Sequence, residues 1–212
     1  MVPRSEPSTR DRILIAAATM VSEDPGARLS VRAVAARAGV STGSLRHFFP
    51  TQRALIDEVA AGITGLFASA DVIEDTTVPA EDRLLACMQQ VLAATGAGEQ
   101  ARHAWRHTLE TYVGSEPSAD AIDTYLAFSA AGLRRTEHWL DVLEREGVLP
   151  PGDNAQRAAY LNVVLDGLAI ARALPTDAAR IRSETDTLRY AISMLFLPHP
   201  HRRGASACEA DL

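Results

Sequence analysis

The sequence predicts an all-α protein of about nine helices, from three observations. Apolar residues recur at helical spacing along most of the chain, and no segment shows a convincing strand pattern. Ser, Asp, Pro and Gly, which start or stop helices, separate these segments. The 212 residues are 47% hydrophobic. This apolar content suffices for one large or two small helical units, each with a real core.

Three short helices are predicted at the N-terminus. Residues 9–22 carry apolar side chains on one face, and an Asp-Pro-Gly sequence ends this helix. Ser30 stands where the N-cap of a second helix belongs, and Ser41 stands at the N-cap of a third. Pro50 follows the third helix and stops it.

The second and third predicted helices have the spacing of a helix-turn-helix. Ala35 is small enough for another helix to cross closely, and Leu45 fills the gap between the crossed helices. Gly39 lies between them and can adopt the positive φ that a tight turn needs. This motif places its second helix in the major groove of DNA.

The packing residues of this region match those of a known family. They are Ile13, Ala16, Ala17, Gly39, Val40, Ser41, Leu45, Phe48, Phe49, Pro50 and Leu55. The region therefore resembles the N-terminal domain of the TetR family of transcriptional repressors, which implies that a helical ligand-binding and dimerisation domain follows. Thr42, Arg46 and Gln52 differ from the residues that the family often carries there, so the resemblance does not specify an operator.

The charge distribution agrees with a DNA-binding N-terminus. Residues 1–53 carry eight arginines against four acidic residues, a net charge of +4, and the remainder carries −10. Attraction to phosphate extends over roughly one Debye length, about 8 Å at physiological salt. A local basic surface is therefore compatible with the overall pI of 5.5.

Ten residues are predicted to contact DNA: Ser30, Arg32, Ser41, Thr42, Gly43, Ser44, Arg46, His47, Thr51 and Gln52. Arg46 is the candidate for a bidentate bond to guanine, with a phosphate contact or a solvated charge as alternatives. Thr42 and Ser44 are candidates for base edges, and Gly43 lets the backbone approach the duplex. His47, Thr51 and Gln52 are expected to donate to phosphates.

The rest of the chain predicts six further helices, at residues 51–70, 79–96, 99–113, 118–146, 153–174 and 176–197. Pro79 marks a helix start, Gly147 a helix end, and Asp153 with Gln156 resembles a capping box. The predicted organisation is a DNA-binding domain at 1–54 with a flexible arm at 1–8, a ligand-binding and dimerisation domain at 55–197, and a flexible tail at 198–212.

Large side chains of the second domain are candidates for a small-molecule site: Met88, Trp105, Leu109, Tyr112, Tyr125, Phe128 and Asn162. Aromatic side chains with a few polar atoms suit an apolar ligand, but they equally suit a helical core. The resemblance favours the ligand site, because it implies a ligand-binding domain in this part of the chain.

Residues 160–174 are apolar on nearly every side, so this helix must be buried. The inference is a homodimer, and the resemblance implies that the last two helices of each subunit form its interface. The candidate interface residues are Leu161, Leu165, Leu168, Ala171, Leu188, Ile192 and Leu195. The alternative is that both helices belong to the core of one chain.

No catalytic motif, metal-ligand spacing or cofactor motif stands out. His103 and His107 lie four residues apart with Glu110 nearby, but we expect surface polar residues there. Two cysteines and the lack of a signal peptide or a long apolar segment favour a cytoplasmic protein.

The sequence thus predicts a dimeric repressor that binds a near-palindromic DNA operator and is released by a small-molecule effector. The alternatives are a ligand-binding module without specific DNA readout and a metal-dependent helical enzyme. An activator also stays open, because a sequence does not give the sign of regulation.

Overall fold

The computed structural model describes residues 7–23, 29–66, 70–114, 116–175 and 178–197, and these form ten α-helices and no strand. The helices are α1 (Thr9–Glu23), α2 (Val31–Ala38), α3 (Thr42–Phe48), α4 (Gln52–Leu66), α5 (Ala70–Glu74), α6 (Ala80–Ala94), α7 (Gly98–Tyr112), α8 (Ala119–Arg145), α9 (Asn154–Ala173) and α10 (Ala178–Phe196). The predicted all-α class is confirmed. Residues 1–6 of the predicted arm and the predicted tail at 198–212 lie outside the described residues.

One helix, α5, is absent from the nine that the sequence predicted. The predicted helix over 51–70 ends at Leu66, and five residues from Ala70 form a separate element. Ile73 of α5 is buried, and Arg83 Nη1 donates to its carbonyl at 2.6 Å. Five residues are too few for a helical period to be recognised. No helix in the described ranges has the length and hydrophobicity to span a membrane.

Two hydrophobic cores are joined by α8. The head core packs α1 to α4 together with Ala127 and Ala131 of α8. The C-terminal core packs α5, α6, α9 and α10 against Trp139, Leu140 and other residues later in α8. The boundary predicted after residue 54 lies within α4, whose next residues pack into the head core.

Candidate nucleic-acid interface and ligand region

Local capping fixes the geometry of α2 and α3. The Ser30 hydroxyl accepts a hydrogen bond from the Ala33 amide at 3.2 Å, and the Ser41 hydroxyl accepts from the Ser44 amide at 3.0 Å. Gly39 has a φ of 64°, a left-handed conformation that costs glycine little. The two helices are therefore joined by a three-residue turn, as the spacing predicted.

Arg12 ties this turn to α1, a contact that the sequence analysis missed. Its Nη2 atom donates to the Ala38 carbonyl at 2.8 Å and to the Gly39 carbonyl at 3.1 Å. Those carbonyls lie at the C-terminus of α2, where helical acceptors lack partners. Arg12 is 26 residues away from the first of them, and no local motif signals such a contact.

The third helix presents an exposed face. Leu45 is fully buried, whereas Thr42, Gly43, Arg46 and His47 are exposed on the other side. The sequence predicts that Phe48 points inward with Leu45, but Phe48 is 38% exposed and its ring meets the His47 ring edge-on. The exposed face is polar at its centre and has an aromatic edge.

The arginines of the N-terminal head divide into engaged and free side chains. Arg10, Arg37 and Arg53 pair with carboxylates, and Arg12 donates to the turn. Arg32 and Arg46 make neither an ion pair nor a hydrogen bond within the described part of the chain. These two free cations belong to α2 and α3. The basic charge left for a partner is therefore on the helix-turn-helix.

The start of α4 combines a cap with a contact to the second domain. The Thr51 hydroxyl accepts from the Ala54 amide at 3.0 Å and so caps α4. Gln52 was predicted to donate to phosphate, but its amide is half-buried and donates to Asp120 Oδ1 at 3.1 Å. The Gln52 side chain is thus already engaged within the chain.

The other end of α4 is also held by α8. Arg135 Nη1 donates to the Thr64 carbonyl at 2.6 Å, and its guanidinium carbon lies 5.2 Å from the centre of the Trp139 ring. The Gln52–Asp120 and Thr64–Arg135 contacts run in the same order along both helices. The two helices therefore run parallel, and α8 holds α4 at both ends of α4.

The structure distributes the seven predicted ligand residues over several places. Met88 and Trp105 belong to the C-terminal core, and Phe128 packs against the head core. Tyr112 and Tyr125 form a ring contact with centres 5.1 Å apart, but Tyr125 is half exposed. The contacts given for these residues therefore fall into separate surroundings within the described ranges.

Two of the predicted ligand residues lie in different surroundings again. Leu109 is half exposed on α7. Asn162 Nδ2 donates to Thr136 Oγ1 at 3.0 Å and to the Ala158 carbonyl at 2.8 Å. The amide donor of Asn162 is therefore occupied inside the chain.

A groove of about 650 Å³ lies elsewhere, where α8 ends and α9 begins. Its lining residues are Glu137, Asp141, Glu144, Arg145, Gly152, Asp153, Asn154 and Ala155. Asn154 Nδ2 bridges Asp141 and Glu144 at 2.8 and 2.6 Å. Across the described ranges, no three His, Cys, Asp or Glu side chains are grouped to hold a metal ion.

The predicted dimer residues need correction. Leu161, Leu165, Leu188, Ile192 and Leu195 are buried in the C-terminal core of the chain itself. A helix that is apolar all round has two apolar faces, and its sequence does not say which one turns inward. The remaining two, at positions 168 and 171, are partly exposed.

The opposite faces of α9 and α10 carry an exposed apolar stripe. On α9 it comprises Val163, which is 70% exposed, Ile170 and Leu174; on α10 it comprises Tyr190 and Met194. The spacings of four and seven residues place each set on one helical face. Within the described ranges, these side chains are exposed apolar surface on α9 and α10.

Comparisons with known proteins agree with the architecture. Residues 13–59 match the family model described as bacterial regulatory proteins, tetR family. No curated protein sequence matches the chain. The matched residues run from α1 into α4 and contain the whole helix-turn-helix.

Solved structures extend the likeness in fold to most of the chain. A putative transcriptional regulator from Pseudomonas aeruginosa PAO1 is 24% identical, with a TM-score of 0.53 over 91% of this chain and 92% of that one. The repressor QsdR from R. erythropolis, of the TetR family, is 16% identical, with a TM-score of 0.52 over 91% and 98%. Salmonella enterica GusR is 19% identical, with a TM-score of 0.52 over 89% and 95%. These likenesses concern the fold.

Proposed function

We propose that the chain, whose residues 13–59 match the tetR family of bacterial regulatory proteins, is a cytoplasmic, dimeric transcriptional repressor that reads a DNA operator through α3. The observation that carries this proposal is the free guanidinium of Arg46 on the exposed face of a capped recognition helix. Every other arginine of the described head, apart from Arg32, is engaged within the chain.

Each exposed residue of α3 has a role in this proposal. Arg46 takes guanine O6 and N7 in the major groove, a contact worth about 1–3 kcal/mol of discrimination. Thr42 and Ser44 meet neighbouring base edges, and Gly43 lets the helix backbone come close to the duplex. His47 donates to a phosphate and orients the helix without reading sequence.

The phosphate contacts flank the recognition helix. Ser30, Ser41 and Thr51 stand at helix N-termini, where free amides and the helix dipole favour an anion. Arg32 adds a free guanidinium from α2. Gln52 contributes to DNA binding indirectly, because its hydrogen bond to Asp120 positions the start of α4.

Dimerisation supplies the second half-site. We assign the interface to the exposed apolar stripe on α9 and α10, because a second copy related by a two-fold axis would bury both stripes together. Two recognition helices then read half-sites roughly 34–36 Å apart, so the operator is near-palindromic.

A small-molecule effector releases the operator by favouring a conformer with the two heads at the wrong separation. The route from effector to head is α8, since this helix contributes to both cores and holds α4 at both ends. A shift of α8 relative to α4 therefore moves the head core with it.

The test is selection of bound sequences from random duplex DNA, followed by affinity measurements at two salt concentrations. Recovery of a near-palindrome supports the proposal, and Arg46→Ala should then weaken specific binding roughly 5- to 150-fold. The matched control is Arg102→Ala, which removes an equal charge from an exposed position on α7. Binding without sequence enrichment, or equal effects of both variants, would refute the proposed readout.

A further inference from the structure

Arg135 is a partly buried cation that has no counter-ion among the described residues. No described carboxylate pairs with it, and its Nε atom is buried without a hydrogen-bond partner. Burial lowers the pKa of its guanidinium. Its one hydrogen bond to a described residue goes to the Thr64 carbonyl.

Two other enclosed arginines of the C-terminal domain have carboxylate partners, whereas Arg157 donates to the Asn154 amide oxygen and, like Arg135, has a buried nitrogen without a hydrogen-bond partner. Arg83 pairs with Glu146, and Arg172 pairs with Glu184 at 2.7 Å. An enclosed charge is costly unless an opposite charge and hydrogen bonds compensate it. The contact of Arg135 with the Trp139 ring compensates it only in part. Arg135 therefore retains unused capacity to bind an anion.

We propose that Arg135 binds the carboxylate of a small apolar acid, which is the effector of this regulator. An arginine fork and a carboxylate form two parallel charge-assisted hydrogen bonds, stronger than one bond to a neutral carbonyl. The guanidinium lies against the Trp139 ring, so the remainder of the acid is apolar. This inference rests on the proposed function for its regulatory role.

The position of Arg135 also explains how binding reaches the head. Thr64 lies in the last turn of α4, where carbonyls lack a helical donor, and Arg135 supplies one. A bound carboxylate competes for the same guanidinium and releases this end of α4. The other end stays attached through Gln52 and Asp120, so α4 pivots with the head residues that it carries.

Binding is measured by the fluorescence of Trp139. The protein is the full-length Trp105→Phe variant, in which Trp139 is the only tryptophan. The probes are benzoate, phenylacetate and octanoate, each paired with its neutral amide. We expect at least one acid to change the emission saturably while its amide does not. Arg135→Gln should lower the affinity for that acid at least 10-fold. Arg134 is an exposed neighbour, and Arg134→Gln should keep the affinity within 2-fold of the parent. Arg135→Lys keeps the charge and should bind with intermediate affinity, which covers the case that Arg135→Gln does not fold.

Three results would overturn the assignment: no acid binds, acids and amides bind alike, or Arg135→Gln and Arg135→Lys bind as tightly as the parent. Because the fluorescence is measured without DNA, this readout is independent of operator binding. A failed sequence selection together with acid binding at Arg135 refutes the repressor and retains the site. An acid that binds without weakening operator affinity refutes the release of α4.

Discussion

Substituting Gly39 by alanine tests whether the turn geometry holds the head together. Gly39 has a φ of 64°, and an L-residue in this left-handed region loses about 1–2 kcal/mol. A Cβ atom there would also lie 3.2 Å from Arg12 Nη2, so this guanidinium must move by a few tenths of an ångström. The backbone term dominates, because the Arg12 side chain is flexible at that end.

The expected result is a lower melting temperature. For a chain of this length, 1–2 kcal/mol corresponds to a decrease of roughly 2–8 °C. Gly62→Ala is the matched control, because Gly62 lies inside α4 and its Cβ would meet nothing within 4 Å. Alanine in a helix interior stabilises by about 0.5–1 kcal/mol, so the same substitution should raise the melting temperature there.

The assay is thermal unfolding at one fixed protein concentration, because dimerisation makes the midpoint depend on concentration. Gly39→Asn should lower the melting temperature less than Gly39→Ala does, since asparagine tolerates a left-handed backbone conformation. The double variant with Arg12→Ala separates backbone strain from the side-chain contact. Equal midpoints for Gly39→Ala and Gly62→Ala would refute the reasoning.

Three other predictions concern the second domain. Ile170→Glu should convert the dimer into monomers in sedimentation experiments, because it places a charge on the exposed stripe. Glu146→Gln should lower the free energy of unfolding at pH 7, and this loss should shrink as the pH falls. The Arg83 guanidinium holds the pKa of Glu146 below its usual value, so this stabilisation is present above that value and lost as pH falls through the lowered pKa. In a Cys208→Ser background, Cys87 should resist a disulfide reagent at pH 8, because burial raises its pKa to about 11.

Each of these three predictions has an outcome that would contradict it. If Ile170→Glu still forms the dimer, Ile170 of α9 does not belong to the interface. The control is Ile122→Glu, at an exposed position of α8. A Glu146→Gln defect that stays constant as the pH is lowered would assign the effect to packing instead of the ion pair. Rapid modification of Cys87 before urea is added would mean that the C-terminal core opens readily.

Local signals in the sequence predicted most helix boundaries. The caps at Ser30, Ser41 and Asp153 are confirmed, because each side chain accepts a hydrogen bond from the amide three residues later. Gly39 has the positive φ expected of the turn. Such features depend on a few neighbouring residues, so the chain itself displays them.

The contacts that the sequence did not predict join distant residues. Gln52 and Asp120 are 68 residues apart, and Thr64 and Arg135 are 71 apart. Periodicity also identified α9 as a buried helix without orienting it, so Leu161 was assigned to the interface while it packs inside. These outcomes depend on which helix packs on which, and a single sequence carries little record of that choice.

Because α8 contributes to both cores, it limits how this protein can be engineered. With 27 residues α8 is roughly 40 Å long, and Ala127 and Ala131 complete a core otherwise made from α1 to α4. If the chain were cut after α4, the isolated head would lack Ala127 and Ala131, and the apolar side chains that they cover would be exposed to water. A chimera that changes operator preference should therefore keep the whole scaffold and transplant only the exposed side chains of α3.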